Sequence, residues 1–209
     1  MKSTKFLSLL FVVTLGITSC KDEKKETPTE AKETTENTVK YIAKPEATSV
    51  KWTAYKTTDK VPVGGEFATL NFEEKEGATV EEALHNLEFS IPVSSLFTKD
   101  DSRDAKLKES FFGAMLDTEF LTGKIKFAEG KHSAKITMNG VTADLPLEVS
   151  VVDERRVTMK GTMNLKDWNA LDALATLNKV CFDLHKGSDG VSKTWEDVAI
   201  EVNTYLRDK

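Results

Sequence analysis

The stretch AKITMNGVTADLPLEVSV, from Ala134 to Val151, decides the fold, because apolar residues alternate with other residues on both sides of Asn139-Gly140. An Asn-Gly pair between two alternating segments predicts a β-hairpin with a type I′ turn, since both residues tolerate the positive φ that this turn requires. A two-residue loop also sets the register, so we expect three apolar pairs on one face: Met138 with Val141, Ile136 with Ala143, and Ala134 with Leu145. A sheet with one apolar face has to cover it, either by packing on another layer or by closing on itself.

The same alternation recurs along the chain and predicts about eight strands, at residues 50–55, 67–72, 87–94, 121–127, 134–138, 141–151, 157–165 and 198–206. Gly64-Gly65 suggests a sharp bend or bulge before the second strand, and Pro92 is expected at a strand end or sheet edge. The period changes over Asp100–Leu116 and Trp168–Leu184, which predicts two short helices. Strands joined mostly by short turns predict one all-β domain, either a sandwich or an up-and-down barrel.

The N-terminal segment has the pattern of an export signal. Two lysines precede an apolar run of 12 residues, from Phe6 to Ile17, which is too short for a membrane span but fits a signal peptide. Ile17-Thr18-Ser19-Cys20 resembles a bacterial lipobox, so residues 1–19 are predicted to be removed and Cys20 to carry acyl chains such as palmitate. A plain secretory signal is the alternative. Two or three acyl chains would anchor the protein firmly in a membrane.

Residues 20–40 are predicted to form a charged, disordered linker between this cysteine and a domain at residues 41–209, because the stretch contains almost no large apolar residue. Lys21-Asp22-Glu23 looks like the acidic export signal of lipoproteins in the Bacteroidota group. We therefore expect attachment to the outer membrane in the cell envelope, and both a surface-facing and a periplasm-facing orientation stay open. Cys181 would have no disulfide partner once Cys20 is acylated.

Charge and motifs exclude several function classes. The formal net charge is −5, and loss of Lys2 and Lys5 with the leader makes the chain more acidic, so nucleic acid is not an expected partner. Cys181-x-Asp183-x-His185 is the one cluster with metal-ligating residue types, and it leaves a metal-dependent enzyme as an alternative. Because no complete catalytic constellation is visible, we expect neither catalysis nor a cofactor.

Four motifs in order resemble the YceI-like lipid- or polyisoprenoid-binding family. They are Gly65-Glu66-Phe67, the stretch from Val93 to Thr98, Arg103-Asp104-Ala105-Lys106-Leu107 with Phe111-Phe112, and the hairpin from Ile136 to Thr142. The similarity spans roughly residues 48–206. Two departures concern the rim of the family's pocket: Lys106 stands where the family usually has His, and Asp117–Thr122 lacks the usual proline.

The resemblance implies an all-β, lipocalin-like antiparallel up-and-down barrel of about eight strands, with two short inserted helices and an elongated apolar pocket for an isoprenoid or other lipid. It also implies an exported protein without established catalysis. The candidate pocket residues are Phe67, Phe89, Ile91, Phe111, Ile136, Met138, Val141, Leu145, Leu147 and Met163. The same residues would be plain core if side chains fill the barrel, in which case a purely structural surface protein is the remaining alternative.

Overall fold

The computed structural model describes residues 38, 40–128 and 130–208, so the predicted signal peptide, Cys20 and nearly all of the predicted linker lie outside the described residues. The described residues form twelve strands: β1 Tyr41–Ala43, β2 Thr48–Lys56, β3 Val61–Phe67, β4 Lys75–Gly77, β5 Glu88–Pro92, β6 Leu96–Phe97, β7 Phe120–Ala128, β8 Lys131–Met138, β9 Val141–Pro146, β10 Glu148–Val152, β11 Arg156–Asn164 and β12 Asp197–Tyr205. The α-helices are α1 Val80–Leu84, α2 Asp101–Lys106 and α3 Leu171–Val180. No helix in the described part of the chain is long and apolar enough to cross a membrane.

Two antiparallel sheets carry the fold. One has the strand order β10-β11-β12-β2-β3-β6 and the other β5-β7-β8-β9, while β1 and β4 form a separate two-stranded sheet. Alternating apolar residues from both larger sheets join a single hydrophobic cluster, which includes Trp52, Ile125, Leu145 and Met159. The predicted all-β, antiparallel domain with few short helices is confirmed.

The hairpin of β8 and β9 forms as the sequence predicts. Met138 pairs with Val141, and the next two predicted pairs on the same face, Ile136–Ala143 and Ala134–Leu145, follow in register. Asn139 and Gly140 adopt φ values of 53° and 69°, as a type I′ turn requires. All six apolar side chains belong to the core cluster or pack against it.

The predicted closed barrel is wrong, because the sheets are not closed on each other. Two of the places where the chain passes between them are the step from β5 to β6 through residues 93–95 and the step from β9 to β10 through Leu147. In both cases the first strand ends at a proline, Pro92 or Pro146. Proline lacks the N–H group that would continue the ladder. The predicted strand 141–151 is therefore divided between two sheets, and the predicted strand 87–94 ends in a 3-10 turn at Val93–Ser95. Beyond the second break, Val151 is exposed instead of facing the core.

Gly64-Gly65 makes no bulge. Both glycines lie inside β3, which pairs with β2 in an unbroken register from Val50–Phe67 to Lys56–Val61. The second strand is therefore Val61–Phe67, not the predicted 67–72. The reason is steric and comes from a tertiary contact of Gly65, described below.

Both predicted helical segments exist but are irregular. In the first, α2 continues into a π-helical turn at Leu107–Phe111 and a 3-10 turn at Phe112–Ala114. In the second, α3 lies between 3-10 turns at Leu165–Trp168 and Asp183–His185. The Asp100 side chain accepts a hydrogen bond of 3.0 Å from the Arg103 N–H and caps α2, which also lowers the pKa of that carboxyl group.

Candidate functional site: an apolar cavity between the sheets

A cavity of about 180 Å³ lies between the two larger sheets and is only partly enclosed. Its length follows from the strands that line it. Alternate residues of β2 and β12 contribute to the wall: Thr48, Val50, Trp52, Ala54, Val198, Ile200, Val202 and Thr204. Six residue steps along a strand correspond to about 20 Å at 3.3 Å per residue. The cavity is therefore a narrow slot that runs along the strands, with an almost entirely apolar wall.

Nine of the ten candidate pocket residues line this cavity: Phe67, Phe89, Ile91, Phe111, Ile136, Met138, Leu145, Leu147 and Met163. Val141 does not line it. It is half-buried beside the Asn139-Gly140 turn and packs against the core cluster instead. Alternation assigns a residue to the inner face of a sheet but does not decide whether it reaches the cavity, since Met138, the partner of Val141 across the turn, does line it. That the nine residues bind a ligand stays a prediction.

Three of the four motifs that resemble the family meet at one side of this cavity. The ring centroids of Phe111 and Phe112 lie 5.0 Å apart in an edge-to-face arrangement, and those of Phe67 and Phe112 lie 6.5 Å apart. Asp104 holds the helical segment in place, because its buried carboxylate accepts hydrogen bonds of 2.9 Å from the Thr98 N–H and 2.6 Å from the Thr98 hydroxyl. The contact ties α2 to the end of β6 and so positions both phenylalanines.

Lys106, which stands where the family usually has histidine, is not part of the cavity wall. Its ammonium group donates to the Ser102 hydroxyl at 2.5 Å and to the Ser102 carbonyl at 3.3 Å on the exposed side of α2.

Trp52 occupies the inner face of β2 next to Gly65, its cross-strand neighbour in β3. A Cβ atom on Gly65 would lie 2.4 Å from Cζ2 and 2.7 Å from Cε2 of the indole. Glycine at this position therefore permits the close approach of the ring, which explains why β3 needs no bulge there. The indole Nε1 is buried and has no hydrogen-bond partner among the described residues.

The far wall of the cavity comes from residues that are absent from the list of candidate pocket residues, although the helix predicted at Trp168–Leu184 is expected to cap or partly fill the cavity. Leu174 and Leu177 of α3 line it, and Thr194 and Trp195, which precede β12, complete it. The spacing of Leu171, Leu174 and Leu177 predicts a helix with one apolar side, but only the tertiary fold shows that this side faces the cavity.

Polar groups of the same segment bond to one another. The Thr194 hydroxyl lies 2.7 Å from Asn178 Oδ1 and 2.6 Å from His185 Nδ1, and the Trp195 Nε1–H donates to the Thr57 carbonyl at 2.7 Å. Burial, and secondarily the charge of Lys56, lowers the pKa of His185. The neutral imidazole is therefore favoured in this network.

Cys181, Asp183 and His185 do not form a metal site. Within the described residues, no group of three or more Cys, His, Asp or Glu side chains is arranged to hold a metal ion. Cys181 is buried and burial raises the pKa of its thiol, while the Nδ1 atom of His185 is used by Thr194. A buried protonated thiol is a poor ligand and a poor nucleophile.

Comparison with known proteins adds the following findings. Residues 41–206 match the family model described as the YceI-like domain. A polyisoprenoid binding domain from Saccharophagus degradans, implicated in plant cell wall breakdown, is 13% identical with a TM-score of 0.60, and the alignment covers 82% of this chain and 100% of that one. BcnA from Burkholderia cenocepacia is 16% identical with a TM-score of 0.50, covering 78% of this chain and 98% of its own. At these identities the likeness establishes a shared fold. Among curated protein sequences, none is similar enough to the chain to count as a relative.

Proposed function

Because the chain belongs to the YceI-like domain family, we propose that its domain binds a long apolar molecule, such as a polyisoprenoid, a quinone or a fatty chain, between the two sheets. The observation that carries this proposal is the narrow cavity of about 180 Å³ with an almost wholly apolar wall. The polyisoprenoid-binding domain that shares the fold supports the same ligand class.

Burial of apolar surface would supply the binding energy. At about 25 cal/mol per Å², a chain that hides about 300 Å² gains about 7 kcal/mol before the costs of association are subtracted. No charged contact is required. The wall offers few polar groups, which suits a ligand whose recognised part is a hydrocarbon.

The size of the cavity indicates how a long chain would fit. An apolar cavity of about 150 Å³ holds one benzene molecule, so about 180 Å³ accommodates only a short part of a long chain. Met138, Met159 and Met163 line the wall, and methionine side chains change rotamer at low cost. A longer ligand would therefore displace these side chains and extend through the partly open side of the cavity.

The proposal includes a membrane anchor. Cys20 would carry the acyl chains, and the domain would be held at the outer membrane in the cell envelope. Mass spectrometry of the N-terminal peptide tests the modification. Protease treatment of intact cells distinguishes the two orientations, because a domain that resists until the cells are lysed faces the periplasm.

A binding role is favoured over an enzymatic one. The family match points to a binding domain, and Thr194, a polar residue of the cavity wall, is already bonded to Asn178 and His185. The metal-dependent alternative loses its support with the Cys181 cluster, since no such group converges in the described part of the chain.

Two substitutions on the same hairpin test the site. Ile136 lines the cavity and Val141 does not, although both are half-buried on the same face of the β8–β9 hairpin. Tryptophan at position 136 would fill the slot, whereas tryptophan at position 141 would not. With geranylgeraniol as the probe, we expect Ile136→Trp to bind at least about tenfold more weakly than Val141→Trp, a loss of about 1.4 kcal/mol.

Far-UV circular dichroism of both variants checks that each one folds. Equal affinities would show that the ligand does not occupy this cavity. Native mass spectrometry of the wild-type protein after gentle extraction then tests the proposal as a whole: a co-purified apolar molecule supports it, and a bare protein that takes up no geranylgeraniol contradicts it.

A further inference from the structure

An exposed apolar surface lies on the outer side of the segment that closes the cavity. Twelve large hydrophobic side chains are exposed among the described residues, and five of them fall within residues 171–191. Four of these define what we call the 180–191 patch: Val180, Phe182, Leu184 and Val191, with exposed fractions of 52%, 50%, 59% and 50%. Exposed apolar side chains that are grouped in this way mark a contact surface more often than scattered ones do.

Backbone contacts hold the patch together. The Gly187 N–H donates to the Val191 carbonyl at 2.9 Å, and the Lys193 N–H donates to the His185 carbonyl at 3.1 Å. These bonds fold residues 185–193 back on themselves, so Val191 is brought toward the turn that carries Phe182 and Leu184.

Lysines surround the patch. The Lys186 ammonium lies 5.8 Å from the centroid of the Phe182 ring, and the Lys56 ammonium donates to the Leu184 carbonyl at 3.1 Å. Lys179 and Lys193 are neighbours in sequence of Val180 and of the folded-back residues.

The acids of this region only partly offset these four lysines. Within residues 179–193 they are Asp183 and Asp189, and Asp189 is engaged by the Thr58 hydroxyl at 2.7 Å and the Val191 N–H at 3.0 Å. On an otherwise acidic chain this end is locally basic, which complements anionic lipid head groups.

We propose that the 180–191 patch docks on the surface of an anionic lipid bilayer and places the cavity against it, an inference that rests on the proposed function. The patch begins at the last residue of α3, the helix whose Leu174 and Leu177 line the cavity. Docking of the patch would therefore bring this wall of the cavity close to the bilayer. Apolar side chains in the interface and lysines near the head groups both stabilise such docking.

The attachment point of the linker makes this docking distinguishable from simple tethering. The domain begins at β1, where Ile42 bonds to Arg207 just after β12, and β12 pairs Thr204 with Thr48 at the start of β2. The patch contacts Lys56 at the other end of β2, which is about 26 Å away for eight residue steps. A flexible tether alone would not hold the patch against the membrane in preference to the linker end.

Two exposed valines provide a matched test in the full-length chain. Val180 lies in the patch and is 52% exposed, and Val152 lies at the linker end and is 53% exposed. Each is replaced by tryptophan, and quenching is measured with vesicles that contain brominated phosphatidylglycerol. The emission of the wild type, which has three tryptophans, is subtracted from that of each variant. We expect the emission of the introduced tryptophan to fall by about twofold at position 180 and to change little at position 152, with less quenching in high salt or in phosphatidylcholine vesicles.

A second substitution, Leu184→Asp in the Val180→Trp background, should remove most of the quenching. Equal quenching at both positions, or none at position 180, would overturn the docking proposal. So would a concentration-dependent dimer in sedimentation velocity that Leu184→Asp dissolves, because the patch would then bind a second copy of the chain. Uptake of geranylgeraniol without vesicles separates the two proposals: uptake without docking refutes only this one, and no uptake by the wild-type protein refutes the proposed function.

Discussion

Replacing Gly65 by alanine should destabilise the protein, whereas the same change at the adjacent Gly64 should not. A Cβ on Gly65 would lie 2.4 Å from Cζ2 of Trp52 and 2.9 Å from Cγ2 of Thr98. Carbon atoms in contact prefer about 3.5–4.0 Å, so the overlap with the indole exceeds about 1 Å. The β2–β3 ladder holds the Gly65 backbone, and Asp104 holds Thr98 through two hydrogen bonds. The indole of Trp52 therefore has to move.

The magnitude follows from overpacking and backbone entropy. Inserting a methyl group into a packed site costs about 1–3 kcal/mol, and replacing glycine returns about 0.4–1 kcal/mol through the unfolded state. We expect Gly65→Ala to lower the free energy of unfolding by about 1–2 kcal/mol. The nearest atoms to a Cβ on Gly64 are 3.6 and 4.0 Å away, which is ordinary contact. Gly64→Ala should accordingly be neutral or slightly stabilising. Neither glycine adopts a positive φ, so backbone strain does not separate them.

Urea unfolding followed by far-UV circular dichroism measures this difference, with unchanged m-values showing that the unfolded states are comparable. The tryptophan emission of the folded protein should shift in Gly65→Ala alone, because only that variant displaces Trp52. Geranylgeraniol uptake should weaken in the same variant, since the displaced ring moves within a wall of the cavity. If the two variants unfold within about 0.5 kcal/mol of each other, the packing argument is refuted.

Three further changes test other parts of the site. Asp104→Ala leaves the buried Thr98 N–H and hydroxyl without their acceptor and should lower the free energy of unfolding by about 1–3 kcal/mol, measured by urea unfolding, with Asp104→Asn less affected. Leu145→Ala removes a side chain that is 2% exposed beside the cavity and should lower the free energy of unfolding by about 2–5 kcal/mol in the same assay. A loss below about 1 kcal/mol would contradict this, because it would mean that neighbouring side chains of the wall move in and fill the space. The pKa of His185 is lower in the folded protein than in the unfolded chain, where it is about 6.5. The stability that the neutral imidazole contributes is therefore fully present above about pH 6.5 and is lost as the pH falls from there toward the folded pKa. The urea midpoint should therefore drop more between pH 7 and about 5.5 in the wild type than in His185→Gln, and equal drops would exclude this role for His185.

Local chemistry explains what could be predicted about the strands. Asn139-Gly140 carries its turn type in its own backbone preferences, so the register of β8 and β9 follows without knowledge of any other element. Proline acts just as locally, and Pro92 ends β5 at an edge of its sheet, as expected. What the sequence does not reveal is that the chain crosses to the other sheet after Pro92 and after Pro146. The direction of the chain after each break depends on what it packs against.

Gly64 and Gly65 show the limit of local interpretation. As a pair they suggest a bend, yet they lie in a regular strand because one of them faces an indole across the ladder. The same holds for Val141, which has the correct parity for the inner face but does not line the cavity, although its partner Met138 does. Residue type and spacing identify candidates, whereas proximity to a distant partner decides their role.

By itself, the sequence determined the antiparallel all-β domain, the hairpin register and the set of inward-facing apolar residues, because alternation and turn chemistry act between near neighbours in the chain. Only the tertiary structure decided that the sheets stay open, that α3 and Trp195 complete the wall of the cavity, and that the opposite side of that segment is exposed. These features depend on contacts between residues far apart in sequence, such as Leu174 with the inner face of the sheets. The volume of a cavity depends on how several packed surfaces meet, so no single element of the sequence predicts it.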